Sequence, residues 1–383
     1  MGICLHMMVK NEAPRLPQLF ASLGTMVDAC VVSDTGSTDD TIACICSWAD
    51  RLGIPCQVEN HAWKNFAHNR NLALQAAYKA RRDGFHDCSW LMVIDPDEVL
   101  QAEDLAWKAG LIRGESYSLH VRAGGTSVCR PFLLDITATE WRWQGLIHNW
   151  VESLPPGTPF SFLEGVALQS SVFVGAKSHA YCSPVEKAEE DRRLLLEELS
   201  GSPLSMRNAH RWFQLAYVCQ LAGRHREGME RLSCLWASSE VHPEIRYASA
   251  ILASKSVRAT NGTHDEALSL LHQARLWEPH RWEASYYISG LMREAGDAAA
   301  ALEALPAVGL MPPRLNGIFW MEHDLYTWRV SYERAFLLYQ TGRWQEASKL
   351  ATSLMERSIL PPAEAGFLLA LLQRIRQETS TSN

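Results

Sequence analysis

Four short strand-like runs, three of them apolar, alternate with helix-forming stretches across the first 110 residues: ICLHMMV (3–9), ACVVS (29–33), the more polar QVEN (57–60) and WLMVI (90–94). That alternation predicts a parallel α/β sheet. Leu16–Leu23 forms one helix face, Ser37 opens another helix with Asp40 closing a capping box, and residues 67–84 form a third ending at Gly84. Three of the strands stop abruptly on polar groups. Lys10, Asn11 and Glu12 follow the first, Asp34 the second, and Asp95-Pro96-Asp97-Glu98 the fourth. In open parallel sheets ligands bind beyond the carboxyl ends of the strands. Carboxylates fixed there suit a divalent cation such as magnesium or manganese, which takes hard oxygen ligands.

Further on the pattern changes twice. Residues 115–175 turn to mixed β character, with YSLHV, RPFLL and SVFV as short strands. Ser183-Pro184-Val185-Glu186 then starts a helix, with proline at its first position and glutamate closing a capping box. From about residue 206 the chain is helical throughout. Gly223, Gly262, Gly296 and Gly342 are each followed five positions later by a small residue, namely Gly228, Ala267, Ala301 and Ala347. That register resembles the paired helices of tetratricopeptide repeats, with irregular spacing. The reading is three segments: an α/β domain over 1–180, a linking helix over 181–205 and an all-α tetratricopeptide-like domain over 206–383.

A chain of 383 residues has room for two cores. Residues 1–205 hold 17 Lys and Arg against 25 Asp and Glu, while residues 206–383 hold 19 against 18. The acidic first half argues against an open nucleic-acid groove, though not against a local basic channel. Ten cysteines without a disulfide or zinc spacing fit reduced thiols in a cytoplasmic protein. No run of 18 apolar residues predicts a membrane span.

Val9-Lys10-Asn11-Glu12, Asp34-Thr35-Gly36-Ser37-Thr38-Asp39, Asn69-Arg70-Asn71 and Asp95-Pro96-Asp97-Glu98 occur in the order and spacing of the inverting family 2 glycosyltransferases, which the chain resembles over roughly residues 3–180. The resemblance implies a GT-A, Rossmann-like fold and a UDP-sugar donor. It places Val9, Lys10, Asn11, Glu12, Asp34, Arg70 and Asp95 around the nucleotide. Asp97, with Asp95, would hold Mn2+ or Mg2+, and His148 of the Trp141–His148 segment would complete the shell. Glu98 would support the metal ligands. Pro96 stands where the family usually has alanine, and Asn149 where many relatives have a glutamate after the histidine. Glu152 and Glu140 are therefore the candidate general bases beside the catalytic Asp97. His179, Tyr181 and the helix containing Arg192 are similar to bacterial members that carry repeats and glycosylate peptides, some on cysteine sulfur.

These features imply a metal-dependent inverting glycosyltransferase, a hexosyltransferase whose repeats select a protein or peptide acceptor. The alternatives are a transferase acting on a modified nucleic-acid base, a lipid or a glycan, and a nucleotide-binding repeat scaffold without catalysis. Trp212, Trp236, Trp277, Trp282, Trp320, Trp328 and Trp344 read as core residues. A concave repeat surface would otherwise serve to bind a peptide or to pair two copies as a homodimer.

Overall fold

The computed structural model describes residues 2–85, 87–170, 183–306 and 320–381. The SVFV run (171–174), His179 and Tyr181 fall outside those ranges. The chain divides into two compact units, the first running to Ser202 and the second beginning at Pro203.

In the first unit β1 (Gly2–Val9), β2 (Ala29–Asp34), β3 (Cys56–Asn60) and β4 (Cys88–Val93) lie parallel in the order β3-β2-β1-β4. The apolar runs of β1, β2 and β4 are buried on both faces, as a helix-covered parallel sheet requires, while β3 at the end of the strand order is half-buried. On one face α1 (Leu16–Leu23) and α2 (Thr41–Leu52) supply Leu19, Phe20, Ile45 and Trp48, with the Phe20 and Trp48 rings stacked at 4.2 Å. On the other face α3 (Phe66–Asp83) packs Leu74, Ala77 and Ala80 against Val31, Leu91 and Val93.

The sheet continues through β5 (Glu98–Ala102), β6 (Ser116–Ala123) and β7 (Thr126–Asp135). A separate hairpin, β8 (Glu140–Gln144) and β9 (Trp150–Leu154), seats Trp141, Trp143 and Val151 in the same core as α3. After β10 (Phe160–Ser170) the order beyond β4 is β7-β6-β10-β5, with β7 antiparallel to β4. The strand order reverses beside β1, so the crevice beyond β1 and β4 is the topological switch point. α4 (Pro184–Leu199) closes this unit and forms the capping box read at Ser183 and Glu186. The box read at Ser37 does not form. Instead α2 starts at Thr41, and the Ser37 hydroxyl bonds to Asp34 at 2.6 Å.

The second unit pairs α5 (Ala209–Leu221) with α6 (His225–Ala237), α7 (Pro243–Ser256) with α8 (His264–Trp277), α9 (Glu283–Glu294) with α10 (Ala298–Ala304), and α11 (Val330–Gln340) with α12 (Trp344–Glu356), before α13 (Pro362–Thr381). Gly223, Gly296 and Gly342 turn between paired helices at φ of 75°, 88° and 75°. Gly228, Ala267, Ala301 and Ala347 are buried where the partner helices meet. All seven tryptophans are half-buried. Several cations lie over rings: Arg231 over Trp212 at 5.2 Å, Arg246 over Trp277 at 4.4 Å and Arg281 over Tyr247 at 4.4 Å. Much of the unit's arginine and aromatic content is thus spent joining helices. Among the described residues no helix is long and apolar enough to cross a membrane.

Candidate active site

The loops after β1 and β2 are bonded to each other side by side. Asn11 adopts φ of 54°, which lets its backbone N–H donate to Ser37 Oγ at 3.0 Å while its side-chain oxygen accepts from Thr38 N at 2.7 Å. Glu12 N donates to Thr41 Oγ1 at 2.7 Å, and its carboxylate pairs with Arg15 at 2.5 Å. The Val9 carbonyl accepts from Thr35 N at 3.0 Å, and Lys10 is exposed just beyond it. Asp34 is buried, and both its oxygens accept from Ser37 N at 3.1 Å. Val9, Lys10, Asn11, Glu12 and Asp34 therefore share one wall of the crevice.

The Asn69-Arg70-Asn71 triplet lies early in α3, which starts at Phe66, and makes three different attachments. Asn69 is fully buried, accepting from Lys64 N at 2.9 Å and donating to the Ala62 carbonyl at 2.9 Å, which fixes the loop after β3. Asn71 meets both backbone groups of Trp143, each at 2.9 Å, and so ties the β8–β9 hairpin to α3. Between them Arg70 lies over the Trp143 ring at 4.8 Å and donates to Asp95 Oδ1 at 2.8 Å.

Asp95 receives a second guanidinium. Arg130 of β7 reaches Asp95 Oδ2 at 3.2 Å and Glu98 Oε2 at 2.6 Å. Glu98 is buried and also accepts from Asp95 N at 2.8 Å. Burial pushes the Asp95 carboxyl up, but Arg70 and Arg130 together outweigh it and hold the group below its ordinary value. For Glu98 burial wins, raising it to about 7 despite Arg130. Asp97 points elsewhere, its Oδ2 accepting from Ser170 Oγ at 2.7 Å. Arg130 and Ser170 lie outside every sequence motif. Their separations of 35 and 73 residues from their partners left no local signal.

The hairpin turn carries His148 at φ of 44°, with Nε2 at 3.6 Å from Asp191 of α4, which also pairs with Lys187 at 2.5 Å. Asn149, in the place of the family's glutamate, donates its amide to the Gln144 and Gly145 carbonyls and so holds the turn closed. Glu152 accepts from the Trp150 indole at 3.0 Å, and Glu140 is exposed at the hairpin's open end. Strand alternation turns Glu140 and Glu152 to the hairpin face opposite Trp143, hence away from Arg70. The structure does not bring these two carboxylates to the Asp95 side of the crevice.

Nor does it assemble Asp95, Asp97 and His148 as a shell. Among the described residues no three His, Cys, Asp or Glu side chains gather closely enough to hold a metal ion. The reason is competition: two arginines take Asp95, and the turn directs His148 to Asp191. A magnesium-like ion bound chiefly by substrate phosphates and water needs only one or two carboxylates. Asp97, at a strand end and fixed by Ser170, fits that smaller role.

The described sheet is parallel and covered on both faces, carries its charged loops at the switch point and is extended by antiparallel strands, an arrangement that places ligands beyond the ends of β1, β2 and β4. Residues 4–111 match the family model for glycosyl transferase family 2, so the N-terminal region carries a domain of that family and the chain is a glycosyltransferase. Among solved structures it is similar to S. aureus TarS 1–349 in complex with UDP-GlcNAc, at 15% identity and a TM-score of 0.32, over 77% of this chain and 92% of that one. It is also similar to the tetratricopeptide repeat protein TTC0263 of Thermus thermophilus, at 15% identity and a TM-score of 0.34, over 49% and 92%. A repeat protein from Parabacteroides merdae matches at 12% identity and a TM-score of 0.36, over 51% and 76%. Comparison with curated protein sequences gives no match.

Proposed function

We propose that this chain moves a sugar from a UDP-sugar to a protein or peptide acceptor, with inversion at the anomeric carbon and with Mn2+ or Mg2+ at the diphosphate. The observation that carries the reading is the convergence of the Asn11–Asp34 wall, Arg70 and the Asp95–Glu98 loop on one switch-point crevice. Asp34 and the backbone from Val9 to Glu12 form the nucleotide wall. Arg70 offers its forked donors to the diphosphate. Asp97 holds the cation, which when bound neutralises the departing diphosphate as a Lewis acid. Glu140 and Glu152 face away from Arg70, so an acceptor that ionises with little help suits the site. A thiol, with a free pKa of about 8.5, is such a group.

In this reading residues 1–180 perform the transfer, 181–205 link, and 206–383 present the acceptor. Exposed Cys46 and Cys234 suit a reducing cytoplasm. A thermal-shift panel of nucleotides and nucleotide-sugars with Mn2+ tests the proposal, because a ligand at 100 times its Kd stabilises the folded state by about 2.7 kcal/mol. UDP and UDP-sugars should raise the midpoint above the other nucleotides. If no nucleotide or nucleotide-sugar moves it, the reading fails.

A further inference from the structure

Three carboxylates within four residues, Asp95, Asp97 and Glu98, would by themselves form a strong cation trap at the end of β4. The structure divides them. Arg130 bonds Asp95 through one terminal nitrogen at 3.2 Å and Glu98 through the other at 2.6 Å, while Arg70 takes the second oxygen of Asp95 at 2.8 Å. Asp97, between them in sequence, is directed to Ser170 on β10. A guanidinium keeps its charge at any physiological pH, so the compensation on β7 is permanent. If Arg70 swings to a bound diphosphate, Arg130 still holds Asp95.

We infer that Arg130 is a positioning residue that withdraws Asp95 and Glu98 from the cation and leaves Asp97 as the carboxylate that meets it. The inference rests on the metal-dependent reading above. Its consequence is order: the cation binds weakly to the protein alone and well once a nucleoside diphosphate supplies oxygens.

Mn2+ affinity of the full chain, read by electron paramagnetic resonance with and without UDP, tests this. The wild type should bind Mn2+ more tightly with UDP present, because the diphosphate adds oxygen ligands to the one carboxylate. Arg130→Met should raise Mn2+ affinity without UDP by about tenfold and shrink the UDP effect, and Arg130→Lys, which keeps the charge but not the two-nitrogen fork, should fall between Arg130→Met and the wild type. A folded Arg130→Met with unchanged or weaker Mn2+ binding overturns the inference and leaves the transferase reading intact. Should Arg130→Met not fold, anomalous diffraction from wild-type crystals with Mn2+ and UDP decides. Mn2+ on Asp97 with Arg130 still on Asp95 and Glu98 supports the assignment, and Mn2+ ligated by Asp95 or Glu98 refutes it. A wild type that binds neither UDP nor Mn2+ removes the reading and the inference together.

Discussion

His6, buried on β1 within the field of Arg70 and Asp95, is a group whose ionisation the fold resists. Burial lowers it to about 4, Arg70 adds to the effect, and Asp95 offsets part of it. The unfolded chain binds this proton near 6.5, whereas the folded chain refuses it until about 4. The contribution is therefore complete above the unfolded value and is lost as pH falls through that window, by about 3 kcal/mol. Urea unfolding at pH 7 and pH 5 should show that slope in the wild type and a flatter one in His6→Asn; equal slopes would refute the assignment. Gly145 is a second single-residue constraint. Its φ is 86°, and an added Cβ would lie 2.7 Å from the Trp150 ring. Gly145→Ala should cost about 1–3 kcal/mol and loosen the turn bearing His148, checked by denaturant midpoint.

At the scale of elements, the hairpin and the helix pairs each depend on a local contact. Asn71 stands in for a neighbouring strand by satisfying both backbone groups of Trp143, so Asn71→Ala should destabilise the unit by about 1–3 kcal/mol and raise hydrogen exchange along β8. In the helical unit Ala301 has no exposed surface, and Ala301→Leu should cost about 1–3 kcal/mol through overpacking, read from the melting midpoint. What the sequence made legible follows the same logic. The apolar runs became β1, β2 and β4 because burial on both faces leaves a continuous pattern, and Ser183 capped its helix because that geometry is local. Ser37 carried the same local pattern, yet the neighbouring loop and Asp34 claimed its hydroxyl. The motifs at the strand ends were readable for the crevice wall. Arg130 was not, because nothing near position 130 records a carboxylate 35 residues away in the loop after the neighbouring β4.

At the scale of the molecule, the two units are stabilised differently. The first has a large apolar core around a sheet. The second buries an ion pair, Arg281 with Glu283 at 2.7 Å, whose carboxylate also accepts from Tyr247 at 3.0 Å and Tyr326 at 2.7 Å. Removing one partner strands a buried charge, so Glu283→Ala should destabilise the helical unit by about 3–5 kcal/mol, whereas joint replacement by Arg281→Met and Glu283→Leu should recover only part of the loss, because the buried Tyr247 and Tyr326 hydroxyls then lack their acceptor. Urea unfolding of the wild type and the two variants checks this. In the proposed function the crevice of the first unit takes a UDP-sugar and breaks the sugar–phosphate bond. The direct measurement is UDP release from a panel of UDP-sugars with Mn2+, for the wild type and Asp97→Asn. The account predicts release by the wild type that falls about 100-fold or more in the folded variant. Absence of release together with absence of UDP binding in the wild type, or equal release by Asp97→Asn, would contradict it.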